Sequence, residues 1–150
     1  MAKFRAAGRF IIINEKEEIL VVKHKKNWAI PWWWIYFWEK LCENISREAE
    51  EELWVKAEMD KVIFIQDFIA KKKKKKKHCL EYFCSIKNNK DFENILATYK
   101  NSTHAYELLD AKWSSINNFP ENFLPKNLPK ILKKYFENKK TFSCEYIPWI

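Results

Sequence analysis

Trp33 to Val55 reads WWIYFWEKLCENISREAEEELWV, and the spacing of its apolar and charged residues decides what can be built around it. From about Lys40 to Leu53 the apolar residues Leu41, Ile45, Ala49 and Leu53 recur every four positions, the stripe of a helix with one buried side. Glu48, Glu51 and Glu52 stand at i, i+3 and i+4 on other positions of that helix, so their carboxylates project from one face. Like charges at this spacing cost an isolated helix about 0.2–0.5 kcal/mol per pair, which a bound cation offsets. Three carboxylates with room for water suit Mg²⁺ or Mn²⁺, hard ions that prefer oxygen ligands. Arg47 can pair with Glu51 one turn on. Spacing alone nevertheless favours a plain solvated acidic face, because Glu50 continues the run where the helix points elsewhere.

On either side of this helix the chain reads mainly as strands. Arg9 to Asn14 (RFIIIN) and Ile19 to His24 (ILVVKH) are apolar, β-branched runs around a polar EKEE, which predicts two strands joined by a turn and paired. Val62 to Ile69 and Leu80 to Ile86 predict two more, with the lysine run between them as a solvated hairpin loop. Tyr106 to Ser114 reads as a last strand, and Leu128 to Asn138 as a second helix with Ile131, Leu132, Tyr135 and Phe136 on its apolar side. The tail TFSCEYIPWI fits neither pattern cleanly. Strands around a central helix, closed by a C-terminal helix, indicate a mixed α/β fold.

A chain of 150 residues with 47% hydrophobic residues is expected to form one domain with a real core. The formal charge of +8 comes largely from Lys71 to Lys77; the rest of the chain is almost balanced. Cys42, Cys79, Cys84 and Cys144 form no CxxC pair and have no zinc-ligand spacing, and the apolar run at the amino terminus is too short for an export signal, so a soluble, cytoplasmic protein is expected. The composition holds one anomaly: Gly8 is the single glycine while tryptophan reaches 8.

Read for residue order, Trp33 to Val55 resembles the Nudix box, whose pattern is Gly, five residues, Glu, seven residues, Arg-Glu-aliphatic, one residue, Glu-Glu, one residue, Gly, aliphatic. Glu39, Arg47, Glu48, Ala49, Glu51, Glu52 and Val55 fall in register, while the two motif glycines fall on Trp33 and Trp54. The glycines that family members commonly carry before the box and before its first Glu correspond to Trp32, Trp34 and Trp38, and Tyr36 stands where many members have a Glu. FRAAGRFIIINEKEEILVVKHKKNWAIP is similar to the family's opening strands, and LLDAKWSSINNF to its late strand, so the resemblance runs to about Phe119. It implies a Nudix-type α/β/α sandwich: a mixed sheet, the box helix and a C-terminal helix. It further implies hydrolysis of a nucleoside diphosphate linked to another group, X. Glu48, Glu51 and Glu52 would be metal ligands, with Glu48 also the candidate base, and the backbone carbonyl of Trp33 a further ligand. Glu39 would support the metal-water shell and Arg47 would hold the glutamates in place. Glu81 and Glu107 are both candidates for one more carboxylate from outside the helix. The implied partner is a small-molecule nucleotide, and the oligomeric state is open.

Glycine suits these positions because backbone must approach metal and phosphate closely, and because a helix often ends in a left-handed residue. Tryptophan has neither property, so the chain as written reads alternatively as an inactive Nudix domain. Our hypothesis is that Trp32, Trp33, Trp34, Trp38 and Trp54 are UGA codons read as Trp where the native code reads Gly; UGG codons at these positions would end it. Trp28 and Trp113 match family tryptophans. Two rival readings use the residues as written. One is a membrane-surface module built on WAIPWWWIYFW with the lysines. The other is a nucleic-acid-binding module using Lys71 to Lys77 and stacking aromatics.

Overall fold

The computed structural model describes residues 3–72, 75–138 and 145–148. Its strands are β1 (Lys3–Ile11), β2 (Glu18–His24), β3 (Asn27–Ala29), β4 (Trp32–Trp34), β5 (Met59–Lys72), β6 (Lys75–Ile86), β7 (Asp110–Ser115) and β8 (Glu145–Pro148). The α-helices are α1 (Leu41–Leu53), the single turn α2 (Ile95–Thr98) and α3 (Leu128–Glu137). A five-stranded sheet has the order β4-β1-β6-β5-β8 and a three-stranded sheet the order β3-β2-β7.

The apolar runs of β1 and β2 are buried on both faces, and this fixes the layering. Phe10, Ile12, Leu20 and Val22 pack with Ile45, Ala49 and Leu53 of α1. Their neighbours Ile11, Ile19 and Val21 point the other way and pack with Phe64, Phe83 and Leu128, Leu132 and Tyr135 of α3. Near-continuous rather than alternating apolar runs are what such doubly covered strands require. Fully burying each large aliphatic side chain is worth about 1.5–3 kcal/mol, so the α1 stripe, with Ile45 and Leu53 at 0% exposure, anchors the helix to the sheet. The fold is the α/β/α sandwich with a mixed sheet and a C-terminal helix expected from the sequence.

Three sequence expectations need correcting. β1 and β2 do not form a hairpin beyond the Ile13–Ile19 bridge: β1 runs parallel to β6 and antiparallel to β4, while β2 pairs with β3 and β7. A lone hairpin would leave one face of each strand wet, and placing the strands in separate sheets covers both. The lysine run is not all loop, because Lys71 pairs with Lys76 and Lys72 with Lys75 as the hairpin ladder continues outward, and Lys77 pairs with Lys3 of the parallel neighbour β1. The late strand begins at Asp110 rather than Tyr106, since Ala105–Glu107 turns as a 3₁₀ helix toward α1. Within the ambiguous tail, Glu145–Pro148 adds to the sheet as a strand parallel to β5. Among the described residues no helix is long and apolar enough to cross a membrane.

Two local features set the position of α1. A Cβ at Gly8 would lie 2.2 Å from Asn44 Oδ1, so only glycine lets the helix approach β1 this closely. At the other end α1 closes on Trp54, in the left-handed region at φ 67° and ψ 14°, whose N–H donates to Glu50 O at 3.0 Å. A residue with a Cβ costs about 1–2 kcal/mol there. Two further carbonyls of the last turn are taken up by the 99–107 segment: the His104 N–H donates to Glu51 O (2.8 Å) and Ser102 Oγ to Glu52 O (2.7 Å).

Candidate active site

Arg47, on the outer side of α1, is the hub of the acidic cluster. Its Nε and Nη2 donate to the two oxygens of Glu39 at 2.5 and 3.1 Å, and Nη1 donates to Glu51 Oε2 at 3.1 Å and to Glu48 Oε1. Its guanidinium lies 4.0 Å from the centre of the Tyr36 ring. Glu39 in turn accepts from the Tyr36 N–H (3.0 Å) and Asn44 Nδ2 (3.2 Å), and Asn44 Nδ2 also reaches Trp34 O (3.1 Å). The loop between β4 and α1 is therefore closed on itself by one carboxylate and one amide. Burial works against the charge on Glu39, but Arg47, the Tyr36 N–H and Asn44 outweigh it and hold Glu39 below the ordinary carboxylate range. Burial likewise opposes the charge on Arg47, and its carboxylate partners overcome this to raise it above its usual value.

The other carboxylates are in the opposite condition. Glu52 is 0% exposed, and neither of its oxygens has a hydrogen-bond partner among the described residues. Burial, with the charges of Glu48, Glu107 and Glu51 added, pushes it up to about 9. Glu48 is buried as well, and burial outweighs the pull of Arg47 to push it up to about 7. His104 Nδ1 lies 3.3 Å from Glu51 Oε2, so the 99–107 segment forms one wall of the cluster.

The structure separates the two outside carboxylates. Glu81 is buried in a bidentate pair with Arg9, at 2.8 and 2.9 Å, and is neutralised there. The charge of Glu107 adds to the upward push that burial exerts on both Glu48 and Glu52. The expected set Glu39, Arg47, Glu48, Glu51 and Glu52 comes together. Trp33 lies opposite Gly8 in β4. Phe10 N–H bonding to Pro31 O and Ile35 N–H to Ala6 O set an alternation that turns the Trp33 carbonyl toward β1 and leaves the Trp34 carbonyl on the helix side. His104 was not singled out for this site by sequence, and the nearby apolar residues of its segment gave no motif. His78 pairs with Asp67, and Cys79 and Cys84 are buried.

A hard divalent cation fits the donor chemistry. The groups are oxygen donors, they carry excess negative charge, and Glu52 holds two buried oxygens without partners. In the geometry described it is the Arg47 guanidinium that spans Glu48 and Glu51, and no three His, Cys, Asp or Glu groups among the described residues stand at metal-holding positions.

No family model and no curated protein matches the chain by sequence. Solved structures do match by fold. An ADP-ribose pyrophosphatase from Streptococcus suis superposes with a TM-score of 0.65 at 17% identity, covering 95% of this chain and 98% of that one. A UDP-X diphosphatase gives a TM-score of 0.67 at 18% identity over 98% of this chain and 68% of that one. A MutT protein from Methanosarcina mazei gives 0.58 at 14% identity, covering 93% and 98%. Nudix hydrolases from Nitrosomonas europaea match in the same way, and the chain has the Nudix hydrolase fold.

Proposed function

We propose that the chain is a Nudix pyrophosphohydrolase that cleaves a pyrophosphate bond in a nucleoside diphosphate linked to a group X, with Mg²⁺ or Mn²⁺ held by Glu48, Glu51 and Glu52. The observation that carries the reading is Glu52, a fully buried carboxyl group with no partner for either oxygen among the described residues, under the influence of Glu48, Glu51 and Glu107. A buried carboxyl group left without partners is costly, and binding a cation there would offset that cost. The box register and the fold point to the same chemistry, and two structural neighbours carry names, ADP-ribose pyrophosphatase and UDP-X diphosphatase, that describe nucleoside diphosphates joined to a second group.

When bound, the metal neutralises phosphate oxygens and makes water more acidic. Glu48 would take the proton as water attacks a phosphorus. The new bond forms from the water oxygen to phosphorus, and the bridging oxygen leaves with the other phosphate. Arg47 keeps Glu48 and Glu51 oriented, and its bond to Glu39 fixes the loop that approaches the phosphates. The test is release of a nucleoside monophosphate from a panel of nucleoside diphosphate derivatives. It uses the protein with glycine restored at Trp32, Trp33, Trp34, Trp38 and Trp54, with Mg²⁺ against EDTA. Full activity in Glu52→Gln or Glu51→Gln overturns the assignment.

A second reading, a non-catalytic membrane-surface module, draws on Phe37 and Trp38, which are 88% and 90% exposed at the tip of the loop. Liposome co-sedimentation by a protein that hydrolyses nothing in the panel would favour it.

A further inference from the structure

On the face of the five-stranded sheet away from α1, the stacked rings of Phe64 and Phe83 adjoin a polar island. Gln66 of β5 stands directly across from Glu81 of β6, and Glu81 across from Ala7 of β1, so their side chains share that face. Arg9 reaches Glu81 with Nε and Nη2, which satisfies the carboxylate and fixes the plane of the guanidinium. Three groups are left over: Arg9 Nη1 and both amide atoms of Gln66 are buried without a hydrogen-bond partner among the described residues. Gln66 is 0% exposed. An ion pair that served only the core would need no unsatisfied amide beside it, and an apolar side chain in its place would be more stable.

β4 is the edge of the sheet and only three residues long. Trp32, half-buried, pairs in register with Arg9, and its ring centre lies 5.0 Å from the guanidinium carbon. α1, with its carboxylates, packs on the opposite face. We infer that Gln66 and Arg9 read the nucleobase of the substrate, with the diphosphate crossing the short edge strand toward α1. This rests on the pyrophosphohydrolase reading and names its specificity residues. An amide presents one donor and one acceptor side by side, which matches a base edge with an N–H next to a ring nitrogen or carbonyl. Arg9 Nη1 adds a second donor for a second acceptor on the same edge. Gln66 and Arg9 select on the base and leave X free.

Binding without turnover tests this. Dissociation constants for AMP, GMP, UMP and CMP, with ribose 5-phosphate as the ligand lacking a base, are measured calorimetrically in EDTA. The proteins are the chain as written and Trp32→Gly, which clears the indole from Arg9. At least one nucleotide is expected to bind about tenfold or more tighter than ribose 5-phosphate in one of these proteins, the scale of a bidentate base contact. Gln66→Met is expected to erase that preference while raising Tm. If all five ligands bind alike in both proteins, or if Gln66→Met keeps the preference, the inference is overturned. If the preference is present but the protein with all five glycines restored hydrolyses no nucleoside diphosphate derivative with Mg²⁺, base reading stands and the hydrolase reading falls.

Discussion

The molecule holds two buried or half-buried arginine–glutamate assemblies, and they are built to opposite balances. Arg9 meets one carboxylate, Glu81, in a two-bond pair, and the charges cancel. Arg47 meets three, Glu39, Glu48 and Glu51, while the Glu52 carboxyl group beside them has no hydrogen-bond partner among the described residues. The first pair leaves its unused hydrogen bonds on neutral and cationic donors and an amide. The second leaves its unused capacity on a carboxylate. The difference lies in what each assembly leaves unpaired: an amide and one guanidinium nitrogen beside Glu81, and a carboxyl group beside Arg47.

The strongest way to break the comparison is at Glu52. Glu52→Gln should reduce Mg²⁺-dependent hydrolysis by about 10³-fold or more, on the scale of removing a group essential to the chemistry, while leaving the metal-free protein folded or more stable. Steady-state rates alongside thermal unfolding in EDTA check both halves. Glu81→Gln should do the reverse at the level of stability. It strands Arg9 in a buried site and should cost about 3–5 kcal/mol, read as a lowered denaturant midpoint; an unchanged midpoint would show that the pair is not the balanced unit described.

A smaller effect sharpens the contrast through pH. Glu52 is pushed up to about 9 and Glu48 to about 7, both above their unfolded value of about 4.3. A carboxylate raised by folding favours the native state only while protonated. In EDTA, stability should therefore fall as pH rises from about 4.5 toward 9, and flatten above that. Mg²⁺ should flatten the decline, and Glu52→Gln should remove most of it. Unfolding midpoints across that range that do not change with pH in EDTA would rule out the charge imbalance.

The smallest expected effect concerns the end of α1. Trp54→Gly should stabilise the protein by about 1–2 kcal/mol by relieving a left-handed side-chain residue. A loss of stability on this change, or UGG codons at the five box tryptophans, would argue that the indoles belong there.

The helix Leu41–Leu53 and its carboxylates were legible in the sequence because a helix face is written locally, in residues three and four apart. What partners β1 and β2 was not, since strand pairing is set by residues far along the chain: Arg9 meets Phe83 and Leu20 meets Trp113. The same distance hid the choice between Glu81 and Glu107, two similar carboxylates until Arg9 is seen to neutralise one of them. The lysine run misled because composition speaks of solvation and not of backbone pairing, which continues through Lys71 and Lys76 despite the like charges. Gln66 carries no sequence signal at all; its meaning lies in what it fails to touch.

Gly8 sets a tolerance for everything downstream. Asn44, the side chain that a Cβ at position 8 would strike, also braces the Trp34 carbonyl and Glu39, and Glu39 in turn clasps Arg47. The missing side chain is thus the datum from which the geometry of the acidic cluster is measured. A methyl group there would not merely loosen a helix. It would pass a displacement through the amide to the loop and the guanidinium together, so an alteration on the far side of the box would be read as misalignment of all its carboxylates at once.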